Sequence, residues 1–213
     1  MSGTGPSTGA GGRIAVVAAA ALGVIALLAV TVLIGSRLLD EDRGTVEVAP
    51  FEVGDGEPAP IPAERISVEA TSFLPPEDGL TYDPTNTIDG DLTTAWNSDA
   101  QDTEGRGQIL SYRFSEPVEL TSIRFVNGYV KNDSVYTANH RIRDIMVITD
   151  GTMQPVSLLD MGEEQEVAFD FGLTSKVVLE ISDVYPGTGF TDPALTSDLA
   201  LSEIVFIGVQ RER

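Results

Sequence analysis

The chain contains no cysteine. That excludes disulfides, thiolate metal sites and a cysteine nucleophile. A domain outside the cell would then depend on its core and on any ion that binds only the native state. Histidine is nearly absent, with His140 the only one, and no Gly-x-Ser-x-Gly elbow, phosphate loop or paired-histidine metal motif occurs. The familiar ways of bringing a nucleophile to a base are therefore missing. Carboxylates are plentiful enough that counting leaves a glycosidase pair open. Most of them fall in loops or on the polar faces of strands, where solvation accounts for them, so the expectation is a protein that is not an enzyme. Basic residues are scarce: 13 Lys and Arg against 33 Asp and Glu give a net charge of −20. Nucleic acid is excluded as a partner, because its binding needs clustered cations that release counterions. Anionic lipid and anionic wall polymers are disfavoured on the same ground, which leaves neutral glycans or basic protein surfaces.

One long apolar run is present. Residues 1–12 are Gly, Ser, Thr and Pro with little apolar content and read as a disordered tail. Within 13–35, the stretch Ile14–Ile34 holds no charge and only Thr31 as a polar side chain. Its 21 residues, at about 1.5 Å each, match a hydrocarbon core of about 30 Å. The reading is a transmembrane helix. Its rival is a cleaved signal peptide, whose apolar core is about 7–15 residues before a small-x-small site; here the run is longer and leads into Gly35-Ser36-Arg37-Leu38. Residues 36–65 are acidic and carry Pro50, Pro58, Pro60 and Pro62, a linker of extended, moderately stiff character.

From residue 66 to 210 the texture is all-β. Short alternating runs recur at Ile66–Ala70, Leu110–Phe114, Leu120–Val126, Val167–Phe171 and Val177–Ile181. A nearly continuous run at Ile142–Thr149 and a last strand near Leu201–Ile207 complete the set. No helical period persists after Ile34. Such spacing predicts a jelly-roll sandwich closing its own core.

The stretch Asn86–Trp96, NTIDGDLTTAW, packs Asp89, Asp91, Gly90, Thr93, Thr94 and the only tryptophan into eleven residues. Gly90 tolerates φ > 0, so the backbone can turn several carbonyls toward one point, as a calcium ion wants with its 6–8 oxygens. From local sequence alone, the simpler reading of the same residues is an Asp-Gly turn beside a core tryptophan. No EF-hand spacing is present. Far away lies LALSEIVFIGV, Leu199–Val209. Together the two stretches resemble the discoidin family of galactose-binding-like β-sandwiches, with its A-x-D-G-(D/N)-x-x-T-x-W loop and (A/S)-E-(I/V) last strand. Thr87 stands where that loop has alanine. The resemblance implies one structural calcium held by the carboxylates of Asp89 and Glu203, the hydroxyl and carbonyl of Thr94, and the carbonyls of Asn86, Asp91 and Ser202.

A third stretch, Val126–Gly151, carries Asn127-Gly128-Tyr129, Lys131, and Asn139 with Arg141 across an inserted His140. These are similar to the NAD-glycohydrolase translocation, or NADase-type glycan-binding, branch of that family, over residues 66–209. The branch is non-catalytic, and it implies binding of a glycan or cell-wall polysaccharide. Exposed loops with aromatic and hydrogen-bonding groups suit such a role. The candidates are Tyr129, Lys131, Asn132, Tyr136, Asn139, His140 and Arg141, with a second loop holding Tyr185, Phe190 and Asp192. The rings read equally as plugs for the sandwich end, and Arg141 equally as a salt-bridge partner of Asp144 or Asp150. The positive-inside count is nearly even, with Arg13 before the span and Arg37 and Arg43 after it. The short tail and the glycan-binding resemblance place the N-terminus in the cytoplasm and the domain outside. The alternative is an interaction domain for an envelope protein, using the same loops.

Overall fold

The computed structural model describes residues 56–77, 79–191 and 196–210. The tail, the Ile14–Ile34 span and most of the linker lie outside them; among the described residues no helix is long and apolar enough to cross a membrane. The strands are β1 (Ala59–Pro60), β2 (Ile66–Ala70), β3 (Trp96–Asn97), β4 (Ile109–Asn127), β5 (His140–Ile148), β6 (Met153–Ser157), β7 (Glu164–Tyr185) and β8 (Leu199–Gln210). One short helix, α1 (Asp133–Ala138), lies between β4 and β5.

β4 and β7 run for 19 and 22 residues, against a usual strand of about 5–6, because each serves in two layers. Leu110–Arg113 of β4 pairs with β2 on one side and with Lys176–Leu179 of β7 on the other. Past a register shift between Arg113 and Val118, β4 pairs instead with β8 and with the first half of β7. The shift holds Pro117, which has no N–H to give a ladder. One layer thus runs β2-β4-β7-β5-β6, and the other runs β7-β4-β8 with β1 and β3 also on β8. The layers meet face to face: the Tyr112 and Phe114 rings from one stand edge-on to Phe206 of the other, 4.9 and 5.3 Å between centroids. This is the jelly-roll sandwich that the alternation predicts.

Three details differ from the expectation. The runs at Leu110–Phe114 and Leu120–Val126 are one bent strand, and so are those at Val167–Phe171 and Val177–Ile181. The stretch 132–138 forms α1, opened by the Asn132 side chain, which accepts the Val135 N–H at 3.0 Å. Within the stretch read as linker, β1 pairs with β8 and Ile61 is buried in the core, its N–H on the Phe206 carbonyl at 2.8 Å.

Candidate functional site

Two neighbouring places at one end of the sandwich hold polar groups that the fold does not fully use. The first is the Asp-Gly loop. Gly90 takes φ +75°, which folds the loop back so that its N–H reaches Glu203 Oε2 on β8 at 3.1 Å. Asp89 accepts the Asp91 N–H at 2.8 Å through one oxygen and the Thr94 hydroxyl at 2.8 Å through the other. That hydroxyl also lies 2.8 Å from the Asp91 carbonyl. Asn86 spans the base of the loop, its amide donating to the Thr81 and Ala95 carbonyls at 2.7 and 2.9 Å. Ser202 is buried, and its hydroxyl accepts the Val130 N–H at 3.1 Å. Trp96 is fully buried and donates to the Ser72 carbonyl at 3.0 Å, so the aromatic anchor and the turn coexist. Thr87, in place of alanine, bonds the Tyr112 hydroxyl at 2.9 Å inside the core.

Burial pushes the Glu203 carboxyl up to about 7, the Gly90 N–H opposing, with the nearby Asp89 charge raising it further. No Lys or Arg pairs with either acid among the described residues. No group of three or more His, Asp or Glu placed to hold a metal occurs among those residues either. A cation here would meet two carboxylates, and hydroxyl or carbonyl oxygens beyond them. That donor chemistry suits a hard ion such as calcium.

The second place is a cleft of about 600 Å³. Tyr129, Lys131, Asn132 and Asn139 line it, as does Phe190 of the second loop. Its remaining walls come from Leu74–Glu77, Leu80, Tyr82, Asn97, Val135, Thr196 and Asp198. The Tyr129 hydroxyl donates to the Thr93 carbonyl at 3.1 Å, joining this cleft to the Asp-Gly loop. Burial pushes the Asp198 carboxyl up to about 6. Neither the 74–82 wall nor Asn97 and Asp198 is marked by any motif; an acid directly before an apolar last strand is the one available signal.

Tyr136, His140 and Arg141 do not line the cleft; they build the corner behind it. Arg141 grips Asp160 with two bonds of 2.9 Å and donates to the Asn139 carbonyl at 2.8 Å. Its guanidinium lies 5.2 Å from the centre of the Tyr136 ring. The partner is thus Asp160, not Asp144, which bonds Arg143, nor Asp150, which bonds Ser175. His140 Nδ1 accepts the Gly187 N–H at 3.0 Å, and burial lowers its pKa. Asn139 also braces the corner, donating to the Val135 carbonyl and accepting the Asp198 N–H. Gly128, at φ +81°, has no room for a Cβ against Arg141 and Tyr136. Tyr185 bonds the Leu158 carbonyl, and Asp192 lies outside the described residues.

A search of curated proteins gives no match. Among solved structures, the fold matches a fragment of an assigned chitobiase from Bacteroides thetaiotaomicron at 15% identity and TM-score 0.57, covering 76% of this chain and 99% of that one. It matches CBM32-3 from a family 31 glycoside hydrolase of Clostridium perfringens at 15% identity and TM-score 0.53, covering 70% and 95%. It also matches CpGH89CBM32-5 of Clostridium perfringens, solved with GalNAc-β-1,3-galactose, at 16% identity and TM-score 0.51, covering 71% and 100%. The fold is thus that of discoidin-like carbohydrate-binding modules. Residues 63–207 match a family of their own, and the chain belongs to it: the NAD glycohydrolase translocation F5/8 type C domain family.

Proposed function

We propose that this chain is a membrane-anchored, extracytoplasmic carbohydrate-binding module without catalytic activity, and that the cleft beside Tyr129 is its glycan site. The observation that carries the reading is the cleft itself: about 600 Å³, with the rings of Tyr82, Tyr129 and Phe190 beside the polar groups of Lys131, Asn132 and Asp198. Aromatic faces take sugar CH groups while the polar groups fix orientation. Support comes from the fold, shared with a module solved on GalNAc-β-1,3-galactose. The anchor is the Ile14–Ile34 run, and the Pro-containing linker after it would hold the domain off the bilayer.

One structural calcium belongs to the same reading, held by Asp89 and Glu203 with Thr94 and the carbonyls of Asn86, Asp91 and Ser202. What supports it is the paired acids, neither ion-paired to a Lys or Arg among the described residues. The ion would stabilise the Asp-Gly loop and, through the Tyr129–Thr93 bond, one wall of the cleft.

A second reading is favoured by Phe73 and Leu80, which are exposed beside Leu74, Pro75 and Pro76. An apolar lip of this kind suits a segment of another envelope protein. The test is a glycan array probed with the full chain in lipid nanodiscs, repeated with Tyr129→Ala and Phe190→Ala. Binding of neutral glycans that both substitutions abolish is the expected result. An empty array, together with capture of a defined envelope protein that the same substitutions release, would replace the first reading with the second.

A further inference from the structure

The base of the cleft carries more than a place to bind. Asp198 ends the loop before β8, and its main chain is fixed on both sides. Its carbonyl accepts the His140 N–H at 2.9 Å, and its own N–H donates to Asn139 Oδ1 at 3.0 Å. Asp198 is 6% exposed, and its carboxylate accepts the Thr196 hydroxyl at 3.3 Å, which in turn accepts the Gln101 amide at 3.2 Å. A carboxylate has about four acceptor positions, and no Lys or Arg ion-pairs with this one among the described residues. Asn97 lies across the same base. Its backbone is locked by bonds to Tyr82 and Leu74, the residue is 3% exposed, and among the described residues its Oδ1 has no hydrogen-bond partner. Acceptor capacity therefore collects at the bottom of a cleft whose walls are largely apolar.

Charge decides which donors fit. The Asp99 charge bears on Asp198, Glu77 stands on the lining, and Lys131 is the single cation on it among the described residues. An anionic group entering this cleft would be brought against a buried carboxylate with little solvent between them, where like charges repel strongly. Hydroxyl hydrogens meet the opposite condition, since each supplies a bond that a buried acceptor otherwise lacks.

We propose that Asp198 and Asn97 are the specificity-determining acceptor pair of the cleft, which takes an uncharged sugar edge with at least two free hydroxyl donors and turns away carboxylated sugars. The assignment rests on the glycan reading of the cleft and narrows it to a ligand class. Asp198 sets the discrimination by charge, and Asn97 adds affinity without discrimination.

The test uses matched probes that differ only at one carbon: galactose against galacturonic acid, and glucose against glucuronic acid. Each is titrated into the full chain in nanodiscs and followed by calorimetry and saturation-transfer NMR. For whichever pair binds, the neutral member should bind at least about tenfold more tightly, and Asp198→Asn should narrow that ratio to about threefold or less. Asn97→Ala should weaken both members alike. Equal affinity of the neutral and carboxylated members in the unmodified chain would overturn the proposal without any variant. A ratio that survives Asp198→Asn, in a protein whose melting temperature is unchanged, would overturn it too. Either result leaves glycan binding at the cleft standing. Failure of every neutral glycan, on these titrations and on the array, overturns both together.

Discussion

Arg141 and Glu203 are both charged side chains left 8% exposed, a short distance apart along the same end of the sandwich. Their surroundings could hardly differ more. Arg141 has two bonds to Asp160, a third to the Asn139 carbonyl, and the Tyr136 ring against its face. Glu203 has one backbone N–H, from Gly90, and a second carboxylate beside it. A buried charge with its partners in place is architecture. One held next to its own kind costs free energy while it is ionised, a cost that taking up a proton relieves and that the proposed cation would relieve as well. The difference separates residues of the Asn127–Arg141 stretch that shape the cleft from those that line it.

The comparison breaks most visibly at Arg141. Arg141→Ala would strand a partly exposed Asp160 and cost about 2–3 kcal/mol, between the values for surface and buried pairs. In a domain of this size that is a fall of roughly 5–10 °C in melting temperature. Calcium should not restore it. A loss below about 2 °C would mean that the Arg141 corner is ornamental. Next comes the ion itself. Calcium at about a hundred times its dissociation constant should add about 2.7 kcal/mol to stability, read as a higher melting temperature, and Glu203→Gln should remove the gain. A melting temperature indifferent to calcium and to chelator would end the proposal for that site.

pH sharpens the same contrast. Glu203 binds its proton more tightly folded than unfolded, its carboxyl standing near 7 rather than 4.5. Its contribution is therefore fully present below the unfolded value and lost as pH rises through about 7. Asp198 acts in the same direction, through about 6. Without calcium, the domain should gain stability as pH falls from 8 to 6, and Glu203→Gln should flatten that slope. A slope that the substitution leaves untouched would assign the titration elsewhere. The smallest effect is at Tyr129→Phe, which removes the bond to the Thr93 carbonyl and should cost about 0.5–1.5 kcal/mol. A larger loss of calcium affinity than of stability would show that this bond couples loop to cleft.

Strand positions were readable because a half-buried strand must alternate; Ile66–Ala70 is β2 residue for residue. The joins were not. Ser115-Glu116-Pro117 has the composition of a loop, yet it sits at a register shift inside β4, since a strand changing layers needs the irregularity that a turn also shows. Glu203 and the Asp-Gly loop are linked in the sequence by resemblance alone; what joins them in the structure is the Gly90 N–H on Glu203, across 113 residues that spacing could not bridge. Arg141 and Asp160 are 19 residues apart with no pattern linking them. The cleft wall at Leu74–Pro76 carries no period at all, and Asn97 and Asp198 sit in short polar runs, Asn97-Ser98-Asp99 and Thr196-Ser197-Asp198, that read as ordinary loop sequence. Such positions acquire meaning only when several loops converge.

β8 has one further consequence. It begins at Leu199 beside the cleft, and β1 lies against it at Ile207 and Gly208. Nine steps of about 3.3 Å put roughly 30 Å between those two points. Arg65 fastens the same far end to Gln210 at 2.5 Å. β1 therefore joins the sandwich at the opposite pole from the mouth of the cleft, and a ligand seated at that mouth would leave the β1–β8 seam untouched.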